Sequence, residues 1–562
     1  MAGRHLITSA LPYVNGVKHL GNLVGSMLPA DVYARYLRLR GEEVLYICAT
    51  DEHGTPTELA AAEAGVPVDE FCAANWAIQK DIGDRFGLSW DYFGRSSSPQ
   101  NHALTQHFAA ALERNGYIEE RETDQVYSNT DGRFLPDRYV VGTCPNCGYD
   151  RARGDQCENC TKLLDPTDLI EPRSAISGST DLEIRATRHL FLRQSLLAPD
   201  VRQWVESKTD WPKLTRSIAM KWLDEGLEDR SITRDLYWGV PVNRPGFENK
   251  VFYVWFDAPI EYIGATQEWA DAAPGRDWKK FWYDVDDEVT YTQFMGKDNV
   301  AFHTVSFPCT IIGSHEPWKL VNYIKSFNWL TYYGGKFSTS QNRGVFMDAA
   351  LDVLPADYWR YHLISNAPES DDASFTWEGL AVSVNKELAD SFGNFVSRTL
   401  SFVVSRTDGT VPAGDDDAIA ASAFVADVGE RVARYDAMLA GHEYRKAMHE
   451  LRDLWSAGNV FWEQQQPWKM TAGSDELANV MRTAVQYVRL LAVLAAPVIP
   501  SLADTVLACF GETLAPAQWP TDVRAEFARL AAGAALRRPE PLVQKIEPDT
   551  LAGFSERFGA AE

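Results

Sequence analysis

The chain has 562 residues, 45 % of them hydrophobic and 23 % charged, and a formal net charge of −24. That length has room for three or more domains with cores of their own, and the composition is that of an ordinary globular protein, neither disordered nor membrane-embedded. The acidity excludes a general nucleic-acid binder that works by bulk attraction, so any nucleic-acid partner must meet local basic patches.

The N-terminus lacks a basic segment followed by a long apolar one, so no secretory signal is read. Residues 1–118 open with a strand-like run, His5-Leu6-Ile7-Thr8, followed by the turn-rich Ser9-Ala10-Leu11-Pro12-Tyr13-Val14-Asn15-Gly16 and a helical pattern from His19. A His and a Gly at the start of a helix just past a strand suit a nucleotide, because Gly admits the ligand to the backbone and His can donate to phosphate. A helical stretch from Ala30 to Arg40 and a second strand around Val44–Ile47 follow. This alternation predicts an α/β fold, the first half of a doubly wound parallel sheet. Asp51 closes the second strand, where such sheets bind ligands, and its carboxylate can pair with an ammonium group; the bland alternative is a helix N-cap.

Residues 119–228 break the rhythm and read as an insertion between sheet halves. They carry Cys144-Pro-Asn-Cys147 and Cys157-Glu-Asn-Cys160, two tight thiolate pairs that can complete a closed tetrahedral shell, so one structural zinc is expected. The remaining cysteines, Cys48, Cys72, Cys309 and Cys509, sit singly in apolar surroundings and read as small buried hydrophobes, and the pattern suits a reducing, cytoplasmic setting.

Strand-like runs return over residues 229–325, at Val251–Phe256 and Val289–Phe294. The segment 326–375 is loop-rich and holds Gly335-Lys336-Phe337-Ser338-Thr339-Ser340. Residues 376–530 show helical periodicity, as in Leu388–Val404 and Tyr444–Gln464, and predict a helix bundle. The apolar stretch Tyr487–Phe510 is interrupted by Arg489, Pro497, Pro500 and Asp504, so it reads as a buried bundle helix and not a membrane span. Residues 531–562 carry Leu536-Arg537-Arg538-Pro539-Glu540-Pro541, a linker expected to pack back on the body.

The His19-Leu20-Gly21-Asn22 turn and the Lys336–Ser340 segment together resemble the paired HIGH and KMSKS signatures of class I aminoacyl-tRNA synthetases, and the Ala-Leu-Pro-Tyr-x-Asn-Gly lead-in narrows the resemblance to the methionyl-tRNA synthetase family. Met295–His303 and Lys336–Ser340 look closest to its archaeal and eukaryotic branch. The resemblance implies a Rossmann-type catalytic domain with a zinc-bearing connective insertion and an α-helical anticodon-binding bundle. It also implies an ATP-dependent ligase that makes methionyl-adenylate and charges tRNA(Met), initiator and elongator, with Mg²⁺ accompanying ATP. By this resemblance His19, Asn22, Lys336 and Thr339 are catalytic, and Gly21, Lys297, Asp298 and Arg234 join Lys336 and Thr339 at ATP. Ala10, Leu11, Tyr13, Asp51, Trp255, Ala258, Pro259, Tyr262 and His303 would form the methionine site. An aromatic lining suits a thioether, whose sulfur contacts ring edges favourably. Asn394, Arg398 and Trp468 would read the anticodon: unstacked bases need a stacking ring and side chains for their exposed edges.

The sequence departs from the family pattern where Thr339 stands for the second lysine of the loop, where Asn22 stands for the last His, and at Asn299 near the side-chain pocket. A sister synthetase for a branched-chain amino acid would need a large editing insertion, and a non-catalytic relative would show erosion of the site motifs. A membrane partner is not expected, and without a C-terminal dimerisation domain a monomer is.

Overall fold

Five short apolar runs pair in parallel into one sheet, in the spatial order Tyr323–Phe327, Val289–Gly296, Arg4–Ser9, Glu43–Thr50, Tyr92–Arg95. The central strand is buried from Leu6 to Ser9, as a strand covered on both faces must be. In the computed structural model the described residues are 3–154, 157, 159–160, 162, 164–283, 288–337 and 343–559. The chain leaves Arg4–Ser9 toward Glu43–Thr50 on one side, and Val289–Gly296 later pairs on the other. The strand order therefore reverses at the C-terminal end of Arg4–Ser9, which opens the crevice where doubly wound sheets bind ligands.

From that crevice runs one continuous helical rod: a first turn, Leu20–Asn22, a π-helical segment, Leu23–Met27, and the α-helix Leu28–Leu39. Two further π-helical segments are Phe302–Ser306 and Ser383–Gly393, the second leading directly into the helix Asn394–Arg406. Each π turn holds an extra residue against the α spacing, a strain that persists at functional positions.

The Val251–Phe256 run is not a strand of the sheet. Only Val251–Phe252 is extended, pairing antiparallel with Thr233–Arg234, and the chain then turns at Tyr253 into the short helix Val254–Asp257. Both faces of the run are apolar, so periodicity cannot separate a buried strand from a buried helical turn. Between the sheet halves lies a long antiparallel hairpin, Ile118–Ser128 with Leu182–Leu192, and a small sheet of Ala152–Arg153, Val140–Thr143 and Ile170–Ser174.

Helices dominate after residue 376. Asp475–Ala495 is buried on every side from Met481 onward, which marks the bundle's central helix. The chain breaks after it and resumes at Pro500–Ala508; buried Arg489 is neutralised by Glu512 and Glu526 at 2.9 and 2.7 Å. No helix among the described residues is long and apolar enough to cross a membrane. The lone cysteines Cys48, Cys72, Cys309 and Cys509 are all buried. The C-terminal helix Pro548–Phe558 lays Phe554 and Phe558 on Trp377, with ring centroids 4.9 and 5.2 Å apart.

Candidate active site

At the crevice a cavity of about 340 Å³ is lined by Ala10, Leu11, His19, Gly21, Asn22, Asp298 and Lys336, with Trp329 and Phe337 beside them. His19 caps the rod. Its Nδ1 accepts from the Asn22 N–H at 3.3 Å, while the Asn22 side-chain oxygen accepts from the His19 N–H at 3.3 Å. Asn22 thus serves as the reciprocal half of a capping box, a job a histidine there would not do in the same way. Because a backbone N–H can only donate, Nδ1 is bare and the ring proton sits on Nε2. Burial, with Lys18 next to it, pushes the His19 pKa down to about 4, so the ring is a neutral N–H donor. It stacks on Phe337 at 4.7 Å. Gly21 makes room for it: a Cβ there would lie 3.0 Å from the His19 ring.

Lys336 is exposed, with its ammonium 5.4 Å from the Trp329 ring centroid. The Lys297 ammonium is 4.3 Å from the same ring and is ion-paired to Asp372 at 2.8 Å. Lys297 is thus held at the rim by a partner no local motif reveals. Trp329, which sequence reasoning missed, gathers both lysines. Thr339 lies outside the described residues. Arg343, the first described residue after that gap, donates to the Tyr332 carbonyl at 3.3 Å.

On the other side of Leu11, Asp51 ends its strand. Its N–H donates to the Pro12 carbonyl at 2.9 Å and its carbonyl accepts from Val14 at 2.8 Å, pinning the Ser9–Asn22 loop to the sheet. Helix Thr55–Ala64 is capped at Gly54, so Asp51 is not its N-cap. Asp51 is 5 % exposed and its Oδ1 has no hydrogen-bond partner. Burial, with Asp257 and Glu52 nearby, pushes its pKa well above the usual carboxylate range. The Lys18 ammonium and the His53 backbone N–H offset only part of this, and Oδ1 stays open to a further donor. Asp257 itself pairs with His53 at 2.7 Å, both fully buried; neither was singled out for a role, because the pairing joins residues far apart in the chain.

Tyr262 and His303 form the floor. The His303 Nδ1 lies 2.8 Å from the Asn299 carbonyl, which can only accept, so Nδ1 carries the proton and Nε2 accepts from the Tyr262 hydroxyl at 2.9 Å. Asn299 thus meets His303 through its backbone carbonyl and also lines the nucleotide cavity. Trp255 donates its indole N–H to the Tyr13 hydroxyl at 3.2 Å, and both are more than a third exposed, at the mouth. Ala258 and Pro259 occupy the turn Ala258–Ile260 that leads into Tyr262. Behind Trp255 a second cavity, about 590 Å³, is lined by Arg234, Tyr253, Pro259 and Phe302. Arg234 sits there, its guanidinium 3.9 Å from the Tyr253 ring centroid, and not in the nucleotide cavity.

The sulfur atoms of Cys144, Cys147, Cys157 and Cys160 all lie within 4.8 Å of one another. Cys144 and Cys160 are 3.8 Å apart and Cys147 and Cys157 3.6 Å. A tetrahedral zinc–thiolate shell with bonds of about 2.3 Å has sulfur–sulfur edges of about 3.8 Å, so the four fit that ion. Asn146 and Asn159 donate to Cys160 and Cys147.

In the bundle, Asn394 is exposed at the start of Asn394–Arg406, and Arg398 is held by Glu463 at 2.6 Å and by Asn459. Glu463 belongs to helix Tyr444–Gln465, which ends at left-handed Gln466 and throws out the turn Pro467–Lys469. Trp468 on that turn is 44 % exposed, so it is not a core residue.

Two family models match almost all of the chain. One, tRNA synthetases class I (M), spans residues 5–400, and the other, the anticodon binding domain of methionyl tRNA ligase, spans 411–562. The methionine–tRNA ligase of Streptomyces avermitilis is 58 % identical to the chain over 570 residues, covering 99 % of each. The chain belongs to the methionyl-tRNA synthetase family. A second family member, the methionine–tRNA ligase of Caulobacter sp. strain K31, is 58 % identical with full coverage of both chains. The Mycobacterium tuberculosis methionyl-tRNA synthetase, solved in complex with methionyl-adenylate, superimposes with a TM-score of 0.76 at 24 % identity, covering 97 % of this chain and 100 % of its own, which shows the shared fold. The relatives named here are bacterial, so the expected placement in an archaeal and eukaryotic branch finds no support among them.

Proposed function

We infer that the chain is an ATP-dependent methionine–tRNA ligase. A methionine carboxylate oxygen attacks the α-phosphorus of ATP, the bond to pyrophosphate breaks, and the terminal ribose hydroxyl of tRNA(Met) then attacks the acyl carbonyl and releases AMP. The observation that carries this reading is the buried carboxylate of Asp51, whose Oδ1 has no hydrogen-bond partner, in a chain 58 % identical to methionine–tRNA ligases over its whole length.

In this reading Asp51 takes the ammonium group, Tyr262 and His303 face the thioether, and Tyr13 and Trp255 close the mouth over Leu11, Ala10, Ala258 and Pro259. His19 donates from Nε2 to a phosphate oxygen, Asn22 fixes His19, Gly21 leaves room for the nucleotide, and Asp298 holds the ribose. Lys336 and Lys297 bring positive charge to the rim of the cavity, Thr339 offers a hydroxyl, and Arg234 serves the neighbouring cavity. No side chain need act as a covalent nucleophile; holding the reacting groups in line and stabilising developing charge suffices. Mg²⁺ enters with ATP as part of the substrate and neutralises phosphate charge.

Cys144, Cys147, Cys157 and Cys160 would hold one structural zinc; four thiolates leave no position for water, so the ion cross-links the insertion. Asn394, Arg398 and Trp468 would meet the anticodon. We divide the chain into catalytic halves at 1–118 and 229–325, the connective insertion at 119–228, the loop region at 326–375, the bundle at 376–530 and the returning tail at 531–562. A monomer working in the cytoplasm, where its tRNA is charged, completes the proposal. ATP–pyrophosphate exchange with each proteinogenic amino acid tests it: methionine alone should drive exchange at low concentration, and preference for another amino acid overturns the assignment.

A further inference from the structure

Glu58 stands on helix Thr55–Ala64, just after the Asp51–His53 loop, with its side chain only one-tenth exposed. One carboxylate oxygen accepts from the backbone N–H groups of Tyr237 and Trp238, at 3.2 and 2.9 Å. The other accepts from Arg133 at 3.3 Å and from the Tyr139 hydroxyl. Arg133 in turn lies over the rings of Tyr139 and Tyr237, at 4.8 and 4.3 Å. Burial and the Glu58 charge push the Tyr139 phenol up, so it stays a donor.

These partners come from two parts of the molecule. Arg133 and Tyr139 belong to the insertion, and Tyr139 immediately precedes the strand Val140–Thr143, which Cys144 follows. Trp238 belongs to the catalytic half. Its indole N–H donates to the Glu52 carbonyl at 2.6 Å, and its ring meets His53 edge-on at 5.6 Å. Glu52 follows Asp51. An apolar seam runs alongside: Leu236 and Val251 share one buried cluster with Tyr139, Cys144 and Cys157, and Leu59 packs against it.

We propose that Glu58 is a positioning residue that registers the cysteine-bearing insertion on the methionine site. Through Tyr139 and Arg133 on one oxygen and Trp238 on the other, it fixes where the Asp51 carboxylate stands; this rests on the reading of Asp51 as the ammonium partner. Cutting either arm weakens methionine binding although none of the cut residues lines the methionine site. ATP affinity is untouched, because His19 and Lys336 are held by other elements.

The test uses the full chain. Tyr139→Phe removes one hydroxyl and keeps the ring under Arg133; Glu58→Gln keeps an acceptor for the two backbone N–H groups and gives up the ion pair. Methionine Kd is read by calorimetry, ATP KM by pyrophosphate exchange, and bound metal by elemental analysis. Each variant should raise methionine Kd about tenfold, the worth of a hydrogen bond to a buried charge, with ATP KM and metal content at wild-type values. Trp238→Phe should do the same, and the Tyr139→Phe, Trp238→Phe pair should cost less than the product of the single effects, because the path is already cut. A methionine Kd within about twofold of wild type in both Tyr139→Phe and Glu58→Gln overturns the proposal and leaves Glu58 a brace, whatever the melting temperature does; fully additive effects overturn it too. Asp51→Asn is measured beside them. If it leaves methionine Kd unmoved, the ammonium reading falls by itself, while the Glu58 variants still report on the coupling.

Discussion

At the scale of single residues, donor and acceptor counting fixes the chemistry of the two histidines at the site. His303 has its proton on Nδ1 and accepts from Tyr262 on Nε2, so Tyr262→Phe strands a buried acceptor and should cost about 1–3 kcal/mol of methionine binding. Equilibrium binding of methionine checks this, with ATP KM as the control. Burial holds the His303 pKa at about 4, down from 6.5. A pKa depressed in the folded state contributes stability above 6.5 that is lost as pH falls through about 4. His303 therefore stays neutral between pH 5 and 8, and methionine Kd should show no inflection from it in that range. On the proposed reading, with Thr339 in place of a lysine, Lys336 is the loop ammonium that meets the leaving pyrophosphate. Lys336→Ala should slow adenylate formation in rapid quench more than Thr339→Ala does; a normal rate would remove the loop from catalysis. Arg343→Ala should slow the same step only if its guanidinium leaves the Tyr332 carbonyl to replace the missing charge.

At the scale of elements, the cysteine knuckle has little core of its own beyond a cluster around Tyr139, Val140 and Cys144. A metal that binds only the folded form adds its binding energy to folding. Cys147→Ala opens the shell, so zinc content should fall from one per chain to near zero and aminoacylation should be lost, as elemental analysis and charging assays would read. The knuckle was legible in the sequence because its chemistry is local, two ligands per turn. So were the helix start at His19 and the strand ends that lead to Asp51 and Asp298, since short apolar runs and turn residues announce them. What was not legible depends on distant partners. Lys297 turns to Asp372, Arg234 lies against Tyr253 in a separate cavity, and the Val251–Phe256 run folds back as a helical turn. None of these can be inferred from a window of neighbours, because the competing contact comes from elsewhere in the chain.

At the scale of the whole molecule, the catalytic sheet and the bundle meet around Arg360. Its guanidinium is fully buried, pairs with Asp31 at 2.7 Å, and donates to the carbonyls of Pro497 and Val498 in the bundle. Burial alone would raise the Asp31 pKa, but Arg35 and Arg360 bring it down to about 2. Arg360→Met leaves the Pro497 and Val498 carbonyls without this donor and Asp31 with Arg35 as its remaining cation, and should lower unfolding free energy by about 3 kcal/mol, read from the urea midpoint. Far from the sheet, Trp468→Ala should spare methionine-dependent pyrophosphate exchange and weaken tRNA charging, since base stacking on an aromatic ring is worth about 1–3 kcal/mol. Equal loss in both assays would make Trp468 a support of the bundle instead.

The π-helical segment Leu23–Met27 has a consequence for how relatives of this chain are compared. It separates the His19–Asn22 cap from the rod Leu28–Leu39, whose far end reaches the bundle where Arg40 pairs with Asp436 at 2.8 Å. Removing one residue there would close the segment into ordinary α-helix with little rotation of the cap about the axis, since the π turn takes up its extra residue within a single turn. Tyr36 and Arg40 would keep their grip on the bundle, and His19 would keep its place at the nucleotide cavity. In an alignment, a single-residue gap opposite Leu23–Met27 is therefore compatible with an unmoved cap: that turn is where the helix can gain or lose one residue without disturbing either end.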